Sequence, residues 1–323
     1  MNPFAPRPHG RKKAIRKIMI VCVCALLIGA LALFDFLCPF QSMLPAADIP
    51  ARAEGELRVH FLSVGQGDCA AVEFPDGEVL FIDAGDGGFE AETVLLRFAK
   101  GLKPDSISLA ATHANIDHYG GFIKLTSLYP VKKAYLPAVE SPTAEYRAFV
   151  GAVARTGCET EILTRYSVIA HPSGAYLVCI SPYSAGETDE NDSSAVLYLS
   201  YLGVNVLFCA DISGVRERRL LREYALMEGI FDASEYRVRL DETDIVKVAH
   251  HGSAYSSDSD WLGLLGAKTA VISCGRGNSY GHPASGAVKR LSDAGAEIFR
   301  TDELGNVTVH ILNGNYEVTT ERE

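Results

Sequence analysis

Short apolar runs alternate with clusters of His and Asp through most of the chain, and this alternation constrains the fold more than any other feature of the sequence. Runs of about four to eight apolar residues bounded by Gly, Pro, Asn or Asp predict strands, and stretches with an apolar face at helical spacing predict helices. The predicted strands are 57–64, 69–74, 78–83, 106–112, 176–180, 195–201, 204–209, 244–249, 269–273, 296–300, 305–312 and 316–320. The predicted helices are 90–101, 143–155, 213–227, 258–265 and 284–294. This order predicts one mixed α/β domain with hairpins near both ends.

The N-terminal residues differ from the rest of the chain in charge and hydropathy. Six basic residues lie in 7–17, and the seventeen residues 18–34 that follow carry no charge. Such a run is near the lower limit for a membrane-spanning helix, and its basic flank predicts a cytoplasmic start and an extracytoplasmic body. Because Pro45-Ala46-Ala47 resembles a cleavage site, a cleaved signal peptide and a secreted body are the alternative. The predicted segments are a basic tail, an anchor or signal peptide, a linker and a folded domain, at 1–17, 18–38, 39–55 and 56–323.

Charge is distributed unevenly along the chain. The first 54 residues carry seven of the 30 Lys and Arg side chains and three of the 40 Asp and Glu side chains, so 23 basic and 37 acidic side chains remain in 55–323. This excess of acidic side chains argues against broad electrostatic capture of nucleic acid. It is compatible with a nuclease, because acidic side chains that hold metal ions reverse the local field. The eight cysteines include no Cys-x-x-Cys pair, so they predict buried thiols rather than a zinc site.

The segment 112–121 places four polar side chains within six residues, directly after an apolar run. Alternate side chains of a tight loop point to opposite sides, so His113 and Asn115 are predicted to face one metal ion, and Asp117 and His118 another. Imidazole nitrogen and carboxylate oxygen are ligands for zinc and similar ions. The segment therefore predicts a metal site at the end of a strand.

Two later apolar runs also end on candidate ligands. Asp211 alone is typical of a helix N-cap, but beside the histidine segments a metal-bridging carboxylate is the better interpretation. His250 and His251 follow the run 245–249, and because adjacent side chains diverge we expect one of them to bind the metal. We predict His250, the first residue after the strand. His251 is then expected to face the substrate as an acid or a phosphate contact.

Two other segments are predicted to line the same site. The glycine-rich loop 273–283 lets backbone N–H groups approach an anion, and Arg276, Asn278 and His282 are candidates to hold phosphate oxygens. A plain surface loop is the alternative there. Asp83 ends another apolar run, where it either orients a ligand histidine from behind or forms an Asx-turn.

These segments, in this order, resemble the metallo-β-lactamase superfamily over roughly residues 57–312, and they look most similar to the extracellular hydrolase domain of ComEC-type competence proteins. The similar motifs are Ser63–Asp68, Ile82–Gly85, His113–Gly121, Ala210–Ile212, His250–Ser253 and Tyr280–Pro283. The resemblance implies a four-layer αββα sandwich with one or two Zn²⁺ or Mn²⁺ ions in a cleft. It also implies hydrolysis, with phosphodiester bonds in DNA as the expected substrate, and a place for Asp68 beside the substrate or behind the ligands.

The sequence departs from the superfamily pattern in two places. Asn115 stands where the superfamily has its second His, and it supplies a neutral oxygen, so the ion beside His113 is expected to be held more weakly. The superfamily's His before the bridging Asp has no counterpart, and Asn191 and Ser193 match that place instead. The other ion keeps a full set of expected ligands, which are Asp117, His118, Asp211 and His250.

The sequence therefore predicts a single-pass, extracytoplasmic hydrolase in a bacterial-type cell membrane that acts on DNA as a phosphodiesterase or nuclease. Its expected catalytic residues are Asp117, His251 and His282, with the two histidines stabilising charge on the substrate. One alternative is a metallo-hydrolase of small phosphodiesters, cell-wall choline-phosphate esters or lactones. Another is a binding protein that has lost catalysis. The lipid bilayer is the expected partner of the N-terminal helix, and the sequence indicates no protein partner.

Overall fold

The computed structural model describes Lys17 and residues 19–24, 44–182 and 189–323. The predicted basic tail and most of the predicted anchor therefore lie outside the described residues, although 19–24 are helical. None of the helices in the described part of the chain combines the length and the hydropathy that crossing a bilayer requires. Contacts divide the chain into two compact units, Met1–Pro45 and Ala46–Glu323.

The second unit has an α/β architecture. The described residues of this unit form the strands β1 Leu57–Phe61, β2 Ala70–Glu73, β3 Val79–Ile82, β4 Ile107–Ala110, β5 Val131–Leu136, β6 Glu159–Ile162, β7 Val168–Ala170, β8 Tyr176–Ser181, β9 Val196–Tyr201, β10 Val204–Phe208, β11 Phe231–Ala233, β12 Tyr236–Val238, β13 Ile245–Lys247, β14 Thr269–Ile272, β15 Glu297–Arg300, β16 Val307–Leu312 and β17 Asn315–Thr320. They also form the helices α1 Phe89–Leu102, α2 Ile116–Tyr119, α3 Phe122–Leu128, α4 Ala144–Thr156, α5 Gly214–Leu226, α6 Ser259–Leu265, α7 Ser285–Asp293 and α8 Thr301–Leu304. Every strand and helix predicted within 56–323 is confirmed, with ends that differ by up to three residues.

Two mixed sheets contain all of these strands except the separate hairpin β11–β12. The first sheet has the order β17-β16-β1-β2-β3-β4-β5-β6, and the second has the order β15-β14-β13-β10-β9-β8-β7. β3, β4, β5 and β6 run parallel in the first sheet. β10, β13, β14 and β15 run parallel in the second. The carboxyl ends of neighbouring parallel strands meet at one edge of a sheet, so the loops that follow β3 and β4, and those that follow β10, β13 and β14, can converge.

Three layers of buried apolar side chains lie between the sheets and helices, which together form a sandwich. Side chains that alternate along the strands fill the space between the two sheets, as Val206 and Phe208 do. The intervening Leu207 points the other way, into the layer that Trp261 and the other apolar residues of α5, α6 and α7 cover. On the outer face of the first sheet, Phe81 lies in a third layer with apolar residues of α1, α3 and α4. This is the mixed α/β sandwich that the resemblance implied.

Several short strands were not predicted, and their composition explains why. β5 contains Lys132 and Lys133, and the edge strand β6 is Glu-Thr-Glu-Ile, so neither shows a long apolar run. Part of the predicted linker 39–55 also packs on the folded unit. Ala47 N donates to Arg97 O at 2.9 Å, and Arg52 forms an ion pair with Glu73 at 2.7 Å.

Candidate metal centre

The loop after β4 supplies the first candidate ligands. His113 and His118 are fully buried, and their ring centroids lie 4.1 Å apart. Asp117 and His118 lie on the short helix α2, whose following residue, Gly120, packs directly on the loop after β3. A Cβ atom at Gly120 would lie 2.2 Å from Asp86 O, so only glycine permits this approach.

The loops after β10 and β13 bring two further ligands from the second sheet. Asp211 is buried at the end of β10, and His251 is buried after β13. His250 and His251 both have left-handed backbone angles, with φ of 52° and 55°. His250 N donates to Ala210 O at 2.8 Å, which fixes this turn beside Asp211.

Four side chains from these loops converge on one point. His118 Nε2 lies 3.4 Å from Asp211 Oδ1. His251 Nε2 lies 3.5 Å from Asp211 Oδ2 and 3.5 Å from Asp117 Oδ2. One ligand atom from each of the four residues lies within 4.8 Å of all the others. Two imidazoles and two carboxylates can therefore surround a single cation.

The sequence analysis predicted His250 as the ligand, whereas the structure brings His251 into the group. His250 Nε2 lies 3.7 Å from Asp211 Oδ2, and its side chain is 29% exposed. His251 is buried and reaches two carboxylates. Because both residues have left-handed backbone angles, the side chain of His251 points towards the carboxylates, where that of His250 was expected.

His113, His118 and His251 each make a hydrogen bond through Nδ1, and this bond leaves Nε2 as the nitrogen that can bind a cation. Thr112 Oγ1 donates to Asp83 at 2.8 Å, so it accepts from His113 Nδ1, at 3.1 Å. His118 Nδ1 donates to Asp83 at 2.8 Å, and His251 Nδ1 donates to Ser273 O at 3.0 Å. In the neutral form, each imidazole therefore presents the lone pair of Nε2.

These Nε2 atoms are buried without a hydrogen-bond partner among the described residues. The same holds for Asp211 Oδ1. Buried polar atoms without partners are destabilising and uncommon, and they call for an explanation such as a bound ion. Nitrogen and carboxylate oxygen suit Zn²⁺, Mn²⁺ or Fe²⁺. The residues present therefore fit a divalent transition metal.

Protonation compensates the carboxylates when no cation is bound. Burial lowers the pKa of His251, but the charges of Asp211 and Asp68 outweigh it and raise this pKa to about 10. Burial also disfavours the charged form of His118, yet Asp211 and Asp83 raise its pKa well above the ordinary value. For His113, burial and the charge of His118 lower the pKa to about 3, so this ring is neutral. A cation must displace the protons of His118 and His251, which makes its binding dependent on pH.

A buried lysine behind the ligands was missed by the sequence analysis. Lys247 Nζ lies 2.6 Å from Asp68 Oδ2, and Asp68 Oδ1 lies 3.1 Å from His251 Nδ1. Burial raises the pKa of Asp68, but the charges of Lys247 and His251 outweigh it and lower this pKa well below the ordinary value. Asp68 therefore lies behind a ligand. The available signal was a charged residue within the apolar run 245–249, which needs a buried counter-charge.

The remaining predicted residues lie around this group. Asn115 Nδ2 donates to Asn191 Oδ1 at 2.7 Å, which brings the loop before β9 against the loop after β4. The His282 ring centroid lies 5.6 Å from that of His250 and 6.2 Å from that of His251.

Two residues of the loop after β14 make hydrogen bonds other than those predicted. Asn278 was expected to hold phosphate, but its side chain bonds to the backbone of Gly275, Tyr280 and His282 and shapes the loop itself. Arg276 Nε donates to Asp302 O at 3.1 Å. Its role in phosphate binding stays a prediction.

Comparison with known proteins gives bacterial relatives, among them competence protein ComA of Neisseria gonorrhoeae, which is 27% identical over 126 residues and covers 39% of this chain and 16% of the relative. No family model matches the chain. It is 28% identical over 280 residues to ComE operon protein 3 of Bacillus subtilis, which covers 81% of this chain and 34% of the relative. It is 25% identical over 271 residues to recombination protein 2 of Haemophilus influenzae, which covers 82% of this chain and 30% of the relative. The chain thus spans about a third of the length of these last two relatives, and its predicted resemblance to competence proteins is confirmed.

Solved structures match this chain at low sequence identity. CmlA, a diiron β-hydroxylase from Streptomyces venezuelae, matches with a TM-score of 0.50 and 13% identity, over 81% of this chain and 55% of that one. The metallo-β-lactamase fold protein YhfI from Bacillus subtilis matches with a TM-score of 0.47 and 10% identity, over 81% of this chain and all of that one. The likeness to CmlA shows the fold alone.

Proposed function

We propose that this chain is a metal-dependent hydrolase of phosphodiester bonds and that DNA is its substrate. The observation that carries the proposal is the group formed by Asp117, His118, Asp211 and His251, whose ligand atoms lie within 4.8 Å of one another. Buried Nε2 and Oδ1 atoms of this group have no hydrogen-bond partner among the described residues, as an ion site requires.

In this proposal the four side chains hold the principal cation, and Asp211 lies between His118 and His251. When bound, such an ion lowers the pKa of water and polarises a phosphoryl oxygen. Asp83 orients His118 through a 2.8 Å hydrogen bond, and the Ser273 carbonyl orients His251 through one of 3.0 Å. The Asp68 carboxylate lies 3.1 Å from the same nitrogen of His251 and adds a favourable charge. These contacts hold the ligands in place before the substrate binds.

His250 and His282 are the proposed substrate contacts. His250 is 29% exposed, and the His282 ring is close to it at 5.6 Å. Burial and the positive charge of His251 lower the pKa of His282. Imidazole N–H groups on this rim can donate to phosphate oxygens and stabilise charge as it develops.

A second, weaker cation is proposed beside His113. The ring is neutral and buried, and its Nε2 has no hydrogen-bond partner among the described residues. Asn115, on the same loop, offers an amide oxygen in place of an ionised ligand. Because a neutral oxygen attracts a divalent cation less than a carboxylate does, we expect the two ions to bind with different affinities.

DNA is favoured over other phosphodiesters because two of the relatives are named recombination protein 2 and competence protein ComA. The acidic composition of residues 55–323 favours the alternative of a small phosphodiester or another non-nucleolytic substrate. Loss of catalysis is the further alternative, and Asn115 favours it because one expected ligand is replaced.

We also propose that residues 18–38 anchor the chain in a membrane with the hydrolase outside the cytoplasm. The support is in the sequence, where the uncharged run 18–34 follows six basic residues. Protease added to intact cells should degrade the folded unit, and protection of that unit would contradict this topology.

The hydrolase proposal is tested with the purified full chain in detergent. Zn²⁺ or Mn²⁺ should remain bound after dialysis, and the loaded chain should cleave labelled DNA or bis-p-nitrophenyl phosphate. Asp211→Asn should lose both the metal and the activity. Asp86→Asn, an exposed change on the loop after β3, is the matched control and should retain both. Activity that survives Asp211→Asn, or a chain that retains no metal, would contradict the proposal.

A further inference from the structure

The two exposed tyrosines of the described chain both lie on loops that carry histidines of the candidate metal centre or its rim. Tyr255 is 85% exposed and Tyr280 is 71% exposed, whereas the other described tyrosines are buried or half-buried. Tyr255 follows His250 and His251 on the loop after β13. Tyr280 precedes His282 on the loop after β14. The exposed rings are therefore confined to the two loops that carry the rim histidines.

Tyr280 continues a row of rings that leads to the ligand group. Its ring centroid lies 5.8 Å from that of His282, with 25° between the ring planes. The His282 ring in turn lies 6.2 Å from that of His251. Asn278 Oδ1 accepts from Tyr280 N and His282 N at 3.1 and 3.0 Å, so the loop presents both rings in a fixed arrangement.

The loop that carries Tyr255 is also held by hydrogen bonds. Gly214 N donates to Tyr255 O at 2.8 Å, and Tyr255 N donates to Ser253 Oγ at 3.3 Å. The two tyrosine loops contact each other directly, because Ala284 N donates to Gly252 O at 2.8 Å. The backbone of both loops is thus ordered before a ligand binds, so binding carries no further cost of loop ordering.

The charge of the chain limits how a nucleic acid can be held. Residues 55–323 carry 37 acidic and 23 basic side chains, so phosphate contacts alone provide little affinity. Stacking of bases on aromatic rings does not depend on net charge, and loss of one such ring weakens binding by about 5- to 150-fold per base. Stacking of this kind requires bases that are not already paired within a duplex.

We propose that Tyr280 and Tyr255 stack on unpaired nucleobases beside the scissile phosphodiester, so that the site takes single-stranded rather than duplex nucleic acid. This inference rests on the proposed hydrolase function. Tyr280 and Tyr255 act as specificity-determining residues, since each ring faces the base and leaves the phosphodiester to the metal ligands and the rim histidines.

The test compares a single-stranded oligonucleotide with an abasic strand of the same length, using the metal-loaded full chain. The wild type should show a lower KM for the base-bearing strand, by about 5- to 150-fold for each stacked base. In Tyr280→Ala and Tyr255→Ala the two KM values should converge, while Tyr280→Phe and Tyr255→Phe should keep them apart because the ring is retained. Leu202→Ala, an exposed change in the β9–β10 turn, should behave as the wild type.

Equal KM values for the two strands in the wild type would overturn the inference, and so would a duplex bound as tightly as the single strand. Fluorescence anisotropy with the same labelled strands measures binding without turnover. A chain that binds the base-bearing strand through Tyr280 but cleaves nothing would refute the hydrolase and support stacking. A chain that cleaves both strands alike would support the hydrolase and refute stacking.

Discussion

Lys247 Nζ lies 2.6 Å from Asp68 Oδ2, and both side chains are buried beneath the candidate ligands. Lys247 is the last residue of β13, where its side chain points between the sheets, as that of Ile245 does. The ammonium group fixes the carboxylate that lies against His251. A charge that looks out of place in an apolar strand thus positions a ligand.

Lys247→Met is expected to destabilise the metal-free chain by about 3–5 kcal/mol, because it leaves the Asp68 carboxylate buried without its counter-charge. Urea unfolding measures this loss. Lys289→Met removes an ion pair with Asp293 whose two side chains are 72% and 60% exposed, and it should change stability by less than about 1 kcal/mol. Equal effects of the two variants would contradict a structural role for the buried pair.

Asp83→Asn is expected to weaken metal binding by about 10- to 100-fold, because the neutral amide no longer supports His118 as a ligand. Isothermal titration with Zn²⁺ or Mn²⁺ measures the affinity. Asp86→Asn serves as the control on the same loop, where Asp86 Oδ1 accepts from Gly88 N and contacts no candidate ligand in the described structure. An unchanged affinity in Asp83→Asn would show that the Asp83–His118 hydrogen bond does not tune the site.

His251→Ala and His250→Ala should separate metal binding from catalysis. His251→Ala removes a ligand and should lower metal affinity by more than about 100-fold, which exceeds the usual effect of a residue behind the ligands. His250→Ala should bind metal as the wild type does, while its rate of hydrolysis falls by about 100-fold through lost charge stabilisation. The reverse pattern would restore the ligand assignment predicted from the sequence.

Glu217 predicts a pH dependence of stability that does not involve the metal. Burial raises its pKa to about 7, and two backbone N–H bonds, from Ser257 and Asp258, offset only part of that shift. Between pH 4.5 and 7 the folded chain therefore keeps a proton that the unfolded chain has released. Stability falls as the pH rises through this window, by roughly 3 kcal/mol from this group.

The matched variant for that prediction is Glu217→Gln, which cannot titrate. Urea unfolding of both metal-free chains at several pH values between 4.5 and 7 should show the stability of the wild type falling relative to that of the variant, by roughly 3 kcal/mol across the window. Parallel curves for the two chains would show that Glu217 keeps its ordinary pKa in the folded chain.

The sequence predicted the long apolar strands because their side chains are buried on both faces, as in β10. It missed β6, since an edge strand with one neighbour keeps exposed Glu side chains and gives no apolar run. The hairpin β11–β12 escaped prediction for a similar reason, because exposed Asp and Arg side chains interrupt both of its strands. Apolar patterning therefore misses a strand where charged or exposed side chains interrupt its apolar run, as in β5 and β6.

For the site, the sequence identified the right loops but not every orientation. Asp211 and His118 follow apolar strands closely enough that their place could be predicted. The choice between His250 and His251 depended on two successive left-handed residues, and neither is a glycine that would have marked the turn. The partnership of Lys247 with Asp68 joins residues 179 positions apart and depends on how the sheets pack.

Two of the four ligands follow strands of the first sheet, and the other two follow strands of the second. An ion bound by all four would therefore hold the two sheets together. Any sliding of one layer over the other would pull the four ligands apart. Resistance to heat and to proteases should then rise with free metal concentration, as linkage requires. Without the metal, this protein would lose its proposed activity and its resistance to proteases together.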